Sequence, residues 1–145
     1  MARLPQRIVC LSTETVEVLY LLGEEARIAG ISGFTTHPPR ARKEKPKVSG
    51  FSSARIERIL AVEPDLVLAF SDLQGDIARD LVKAGVTVHV FNHRSVDGIL
   101  AMIETVGRLV GADARALALV AELEQTIATE RAAGEDRAAR LGGRP

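Results

Sequence analysis

The sequence predicts an α/β domain, a parallel sheet with helices on both faces, followed by one long helix. Three observations carry this. Short apolar stretches alternate with helix-period stretches four times over. One of them, residues 66–70 (Leu-Val-Leu-Ala-Phe), is apolar at every position, the habit of a strand covered on both faces. From Asp113 nearly to Leu141 the chain is built of Ala, Leu, Glu, Arg and Gln, all strong helix formers.

The elements follow in order. Residues 7–11 (RIVCL) read as the first strand, and Ser12-Thr13 opens a helix that Gly23 stops. Residues 27–31 give a second strand, ending in Ser32-Gly33-Phe34. A long connection follows, with His37-Pro38-Pro39 and a basic run over residues 40–47. Lys47-Val48 is a short third strand leading to Gly50-Phe51. Ile56, Ile59, Leu60 and Val62 recur at helical spacing until Pro64 forces a turn before the fourth strand. Ser71 or Asp72 caps the next helix, ended by Gly85; residues 86–91 are the fifth strand, and Ser95 caps a helix over 96–110. In the tail Leu117, Val120, Leu123 and Ile127 form one stripe, and Gly134 is the point at which the helix could be interrupted, at a cost of about 1 kcal/mol. The domains are thus residues 6–111 and a helix over 112–141.

A chain of 145 residues is long enough for one domain with a real core. Nineteen basic residues balance nineteen acidic ones, so charge gives no reason to expect nucleic acid as a partner. The lone Cys10 lies within a strand and reads as a buried, inert thiol. No apolar run approaches the length of a membrane span. The dinucleotide, phosphate-loop and nucleophile-elbow motifs are missing, and His37, His89 and His93 have no ligand-like spacing, so neither metal nor catalytic residues are assigned. The basic run reads as a solvated, flexible loop, and Ser12-Thr13 as a helix cap before an anion site.

The aromatics are the informative feature. Phe34, Phe51, Phe70 and Phe91 all fall at or just beyond the carboxyl end of a strand, the edge where ligands bind in open parallel sheets. Four rings on one rim predict an apolar pocket or cleft wall, with His93 on the same rim as a further ligand contact.

These residues carry a resemblance. The opening 7–12 with Glu17 and Gly23, the segment 30–34 with Pro38-Pro39, and Ile56-Glu57 through Glu63-Pro64-Asp65-Leu66-Val67 together resemble the N-terminal lobe of periplasmic binding proteins for iron complexes and vitamin B12, the cobalamin-binding branch most closely. The likeness runs over residues 7–127. It implies a three-layer lobe of a two-lobe protein and an inter-lobe helix permitting only small closure. It also implies the substrate-binding role in an ABC-type uptake system for cobalamin, a related corrinoid or an iron chelate, with no reaction catalysed and no resident cofactor. Phe34, Phe51 and Phe70 then line the cleft, as phenylalanine where that branch often has Tyr or Trp. Glu57 matches the acidic residue that docks on an arginine of the membrane permease.

Two departures qualify the resemblance. The chain reaches Pro145 before a second lobe, which implies a fragment or self-association of two copies. The opening residues show no apolar signal-peptide core, so a periplasmic place is expected from the resemblance alone and a cytoplasmic one is the other expectation. Two other classes fit the same rim: an α/β enzyme or cytoplasmic tetrapyrrole- or metal-handling protein using His93, and an interaction module presenting the phenylalanines to a protein partner.

Overall fold

The computed structural model describes residues 3–49 and 56–140. Five parallel strands, β1 (Ile8–Cys10), β2 (Ile28–Ser32), β3 (Lys47–Ser49), β4 (Leu66–Phe70) and β5 (Val88–Phe91), form one sheet in the order β3-β2-β1-β4-β5. The helices are α1 (Thr13–Leu21), α2 (Ala41–Glu44), α3 (Ile56–Ala61), α4 (Gly75–Lys83), α5 (Val96–Leu109) and α6 (Asp113–Arg140).

Alternation along the strands divides the core in two, because successive side chains leave opposite faces. Ile8, Cys10, Ile28, Ile31, Leu66 and Leu68 face one way, into a cluster with residues of α1, α5 and α6. Val9, Leu11, Val48, Val67 and Ala69 face the other way, onto Ile59 of α3 and Ile77 and Leu81 of α4. The three-layer expectation holds, and β4 is buried on both faces as its composition requires.

β1 and β4 are locked together at their amino ends. The Asp65 carboxylate accepts hydrogen bonds from the Gln6 and Arg7 backbone N–H groups (2.8 and 3.0 Å), while the Asp65 N–H donates to the Arg7 carbonyl (2.9 Å). The turn before it places Glu63 at φ 50, with its N–H on the Leu60 carbonyl.

Several boundaries differ from the sequence expectation for local reasons. β5 starts at Val88, because Gly85 (φ 90) ends α4 and the Val86 N–H is spent on the Leu81 carbonyl. Arg27 falls in a single 3-10 turn ahead of β2. Ser71 caps a short 3-10 turn over Asp72–Gln74 that precedes α4. The basic run is solvent-exposed as expected, but part of it is the helix α2 and it is tied down: Arg40 pairs with Glu25 and Glu44 and lies 4.6 Å from the Tyr20 ring centroid, and Lys47 donates to the Arg42 carbonyl. α6 passes through Gly134 unbroken, since a single glycine costs a helix only about 1 kcal/mol.

α6 packs antiparallel on α5 and comes close at Gly107, where an added Cβ would run into the Ala116 Cβ. Because Val96 and Leu100 of α5 lie opposite residues 124–131 of α6, residues 132–140 run on past the strand ends for about 14 Å, at 1.5 Å per residue. Gly107→Val is expected to prise the two helices apart and lower stability by about 1–3 kcal/mol, measured by denaturant unfolding.

Burial pushes the Cys10 thiol up from 9.0 to about 12. The Tyr20 phenol rises from 10.0 to about 12, first by burial and then through Glu44, whose carboxylate accepts its hydrogen bond at 2.6 Å. The unfolded chain releases both protons earlier, so the folded state holds more protons through that window. Stability is therefore full below about pH 9 and declines as pH rises toward 12. Unfolding midpoints measured across this range should fall, and Cys10→Ala should reduce the slope while lowering stability at neutral pH.

Candidate functional site

The chain order creates the site. From β1 it builds outward through β2 to β3, then returns to place β4 on the other side of β1. The segment leaving β1 enters α1 on one face of the sheet, and the segment leaving β4 leads to α4 on the opposite face. A crevice must open between the two strand ends, at the topological switch point. A cavity of about 180 Å3 lies there, lined by Leu11, Ser12, Thr13, Glu14, Ser32, Phe34 and Phe70.

Phe34 and Phe70, both expected on this rim, form its apolar walls. Phe34 is 69% exposed, at the mouth, whereas Phe70 is half-buried and rests on the core. The loop carrying Phe34 is held from several sides. The Gly33 N–H reaches the Ser49 carbonyl, and the Phe34 N–H donates to Ser32 Oγ (3.0 Å). The Thr36 and His37 N–H groups converge on Thr13 Oγ1 (3.1 and 3.3 Å). Arg42 donates from one guanidinium nitrogen to the Gly33 and Thr35 carbonyls (2.7 and 3.0 Å). The exposed ring is thus carried on a braced backbone.

The remaining sequence-assigned residues are placed as follows. His93 is not among the cavity lining; it stands behind Phe70, ring centroids 4.6 Å apart, with its Nδ1 buried and unpartnered among the described residues. Phe91, grouped with the rim from sequence, is only 7% exposed and belongs to the core, flanked by His89 at 4.4 Å and His93 at 6.5 Å. Phe51 lies outside the described residues. Glu57 is exposed in the first turn of α3. Ser12 does not cap α1 with its side chain; its carbonyl accepts from Thr15 Oγ1 instead.

Sequence reasoning missed Glu14 and Ser32 as lining residues and Gln74 beneath the floor. The first two follow only once the strand order is known. Gln74 is fully buried; its Oε1 accepts from the Phe70 N–H (2.6 Å) and its Nε2 donates to the Leu11 carbonyl (2.9 Å). Among the described residues no group of three or more His, Cys, Asp or Glu is arranged to hold a metal ion. The lining offers small hydroxyls and one carboxylate between two aromatic walls, which suits capture of a partly apolar molecule.

The sequence pattern described as "Periplasmic binding protein" matches residues 8–139. The chain belongs to the periplasmic binding protein family. It is 34% identical over 127 residues to a cobalamin-binding protein of Halobacterium salinarum, covering 86% of this chain and 34% of that protein. It is 31% identical over 102 residues to a vitamin B12-binding protein of Vibrio campbellii, covering 68% of this chain and 36% of the other. Its fold superposes on a periplasmic heme-binding protein from Pseudomonas aeruginosa with a TM-score of 0.83 at 26% identity, over 96% of this chain and 50% of that one. The chain therefore spans about a third of the length of these curated relatives and half of the solved one. Among the described residues no helix is long and apolar enough to cross a membrane.

The Arg42 brace can be tested without a ligand. Arg42→Met keeps the apolar stem but removes both donors, and hydrogen exchange of the Gly33 to Thr36 amides should accelerate while global stability changes by less than about 1 kcal/mol.

Proposed function

We propose that this chain supplies a ligand-binding lobe of the substrate-binding component of an ABC-type uptake system, and that its ligand is a corrinoid or an iron chelate. The observation that carries the reading is the cleft at the β1/β4 switch point, walled by Phe34 and Phe70 over a floor of hydroxyl groups. A flat, partly apolar macrocycle or chelate lays its faces on such rings and turns its polar edge to Ser12, Thr13 and Ser32. The relatives named for cobalamin and vitamin B12 support the corrinoid choice; the heme-binding structural neighbour keeps iron tetrapyrroles within the class. Phe51 is assigned to the same wall on the strength of its sequence position. His93 contributes by backing Phe70 rather than by reaching the ligand.

In this reading the protein captures and delivers and catalyses nothing. Delivery takes place outside the cytoplasmic membrane. Glu57, exposed at the start of α3 on the strand-end side, is the group that docks on a basic residue of the permease. Its place in a first helical turn also suits the helix dipole, so it costs the fold nothing to keep it there.

The test is a titration of the chain with hydroxocobalamin, cobinamide, haemin and a ferric siderophore, followed by absorbance and calorimetry. Saturable binding of one class is expected, and Phe34→Ala combined with Phe70→Ala should weaken it by about tenfold to a hundredfold, the scale set by burying aromatic surface. Binding that survives loss of both rings would place the ligand elsewhere. An absence of binding by all four, at concentrations high enough to detect the weak affinity of one-sided contact, would reject the ligand class.

A further inference from the structure

The structure assigns Gln74 as a wedge that holds the β1/β4 cleft open and positions Phe70; its bearing on ligand binding rests on the function proposed above. The parallel ladder between these strands reaches its last direct rung at the Leu11 N–H, which donates to the Leu68 carbonyl at 2.9 Å. In a regular parallel ladder the next rung would run from the Phe70 N–H to the Leu11 carbonyl, because donors and acceptors alternate in even steps along each pair. That rung is not formed. Its donor is taken by Gln74 Oε1 at 2.6 Å and its acceptor by Gln74 Nε2 at 2.9 Å. One side-chain amide is thus inserted into the sheet where one hydrogen bond belongs.

An amide suits this place at any pH. Its carbonyl accepts and its NH2 donates, matching a freed N–H on one strand and a freed C=O on the other. The same match fixes which end of the amide points which way. The side chain can reach back because Ser71 turns the chain at φ 63 and its hydroxyl accepts from the Leu73 N–H at 3.2 Å, bringing position 74 over the strand end. Gln74 is fully buried, so both strand groups are paired without water. Leu11 and Phe70, the residues on either side of the inserted amide, both line the cavity. The wedge therefore sets the separation of the two cleft walls and the direction of the Phe70 ring, and Gln74 is a positioning residue.

The experiment compares the wild-type chain with Gln74→Ala and Gln74→Glu. The first readout needs no ligand: through-hydrogen-bond NMR couplings from the Phe70 amide nitrogen. In the wild type the coupling should run to the Gln74 side-chain carbonyl carbon. In Gln74→Ala it should transfer to the Leu11 carbonyl as the strands close and the missing rung forms. The second readout is affinity for hydroxocobalamin and for haemin, expected to drop about tenfold in Gln74→Ala, the scale for a buried hydrogen-bonding group removed.

Gln74→Glu supplies the pH signature. A protonated glutamic acid still donates to Leu11 and accepts from Phe70, whereas the carboxylate turns an acceptor on the Leu11 carbonyl. Affinity of this variant should fall as pH rises from about 4 to 8, with a slope steeper than the wild type, since burial raises a carboxyl group above its usual value near 4.3. Should Gln74→Ala not fold, this pH series and the wild-type couplings decide. Wild-type affinity in Gln74→Ala with the new rung formed would overturn the positioning role. A wild-type coupling running directly from Phe70 to Leu11 would overturn the wedge. If the wild type binds neither probe, the proposed ligand class falls and the couplings still decide the wedge.

Discussion

The pairing of β1 with β4 is the constraint on which everything else depends. β1 is the middle strand, and its side chains are almost wholly withdrawn from solvent on both faces. It must therefore be satisfied on both edges and covered on both sides, which obliges the chain to cross back over it from β3 to β4. That crossing sends the strand exits to opposite faces and leaves a crevice that no helix fills. The pair is closed at one end and open at the other. At the amino end the Asp65 carboxylate takes two N–H groups from the start of β1, so register is pinned there. At the carboxyl end the Gln74 amide keeps the same two strands apart. Fixing one end and spreading the other turns a flat sheet edge into a cleft without cutting the core.

The rest of the rim serves to hold Phe34 and Phe70 where that cleft needs them. A ring that is mostly exposed gains little from the fold itself, so the position of its backbone has to come from hydrogen bonds rather than from packing. Thr13, Ser32 and Arg42 supply those bonds from α1, β2 and α2. This explains why the basic run is structured. Arg42 is needed at the Gly33 and Thr35 carbonyls, and Arg40 is held by Glu25, Glu44 and the Tyr20 ring. Phe70 is steadied differently, by the core on one side and the His93 ring on the other.

What the sequence disclosed was what leaves a periodic or compositional mark. The wholly apolar 66–70 stretch, the stop at Pro64 and the Ser95 cap were all legible, and the cap is seen with Ser95 Oγ accepting from the Gly98 N–H at 3.0 Å. So was the grouping of phenylalanines at strand ends, because strand ends can be located without knowing strand order. Which of them face the crevice could not be read. Phe91 lies on β5, at the edge of the sheet and one strand removed from the switch point, and there α5 folds over it. His93 follows β5 and is carried behind Phe70 for the same reason. Gln74 left no signal, since a lone glutamine in a helix-opening segment is ordinary surface composition. Its role exists only in the bonding pattern of two strands more than fifty residues apart in sequence.

The size of the cleft bears on how such a lobe would work. Pockets that enclose a drug-sized molecule run from about 300 to 1,000 Å3, while the hollow between Phe34 and Phe70 holds about 180 Å3. A corrinoid or tetrapyrrole set there is gripped on one side and stands proud of the rim. Apolar burial contributes about 25 cal/mol per Å2, so one-sided contact yields only part of the affinity that full enclosure would, against the same cost of immobilising the ligand. A second surface facing the rim would supply the remainder, and α6 runs toward that side. Its last residues continue past the strand ends on the cleft side, and a continuous helix of 28 residues transmits orientation without a flexible joint. A stiff connector limits how far two surfaces can close. Such a site must be nearly complementary before the ligand arrives, which is the condition that the braced Phe34 loop and the amide-held floor both meet.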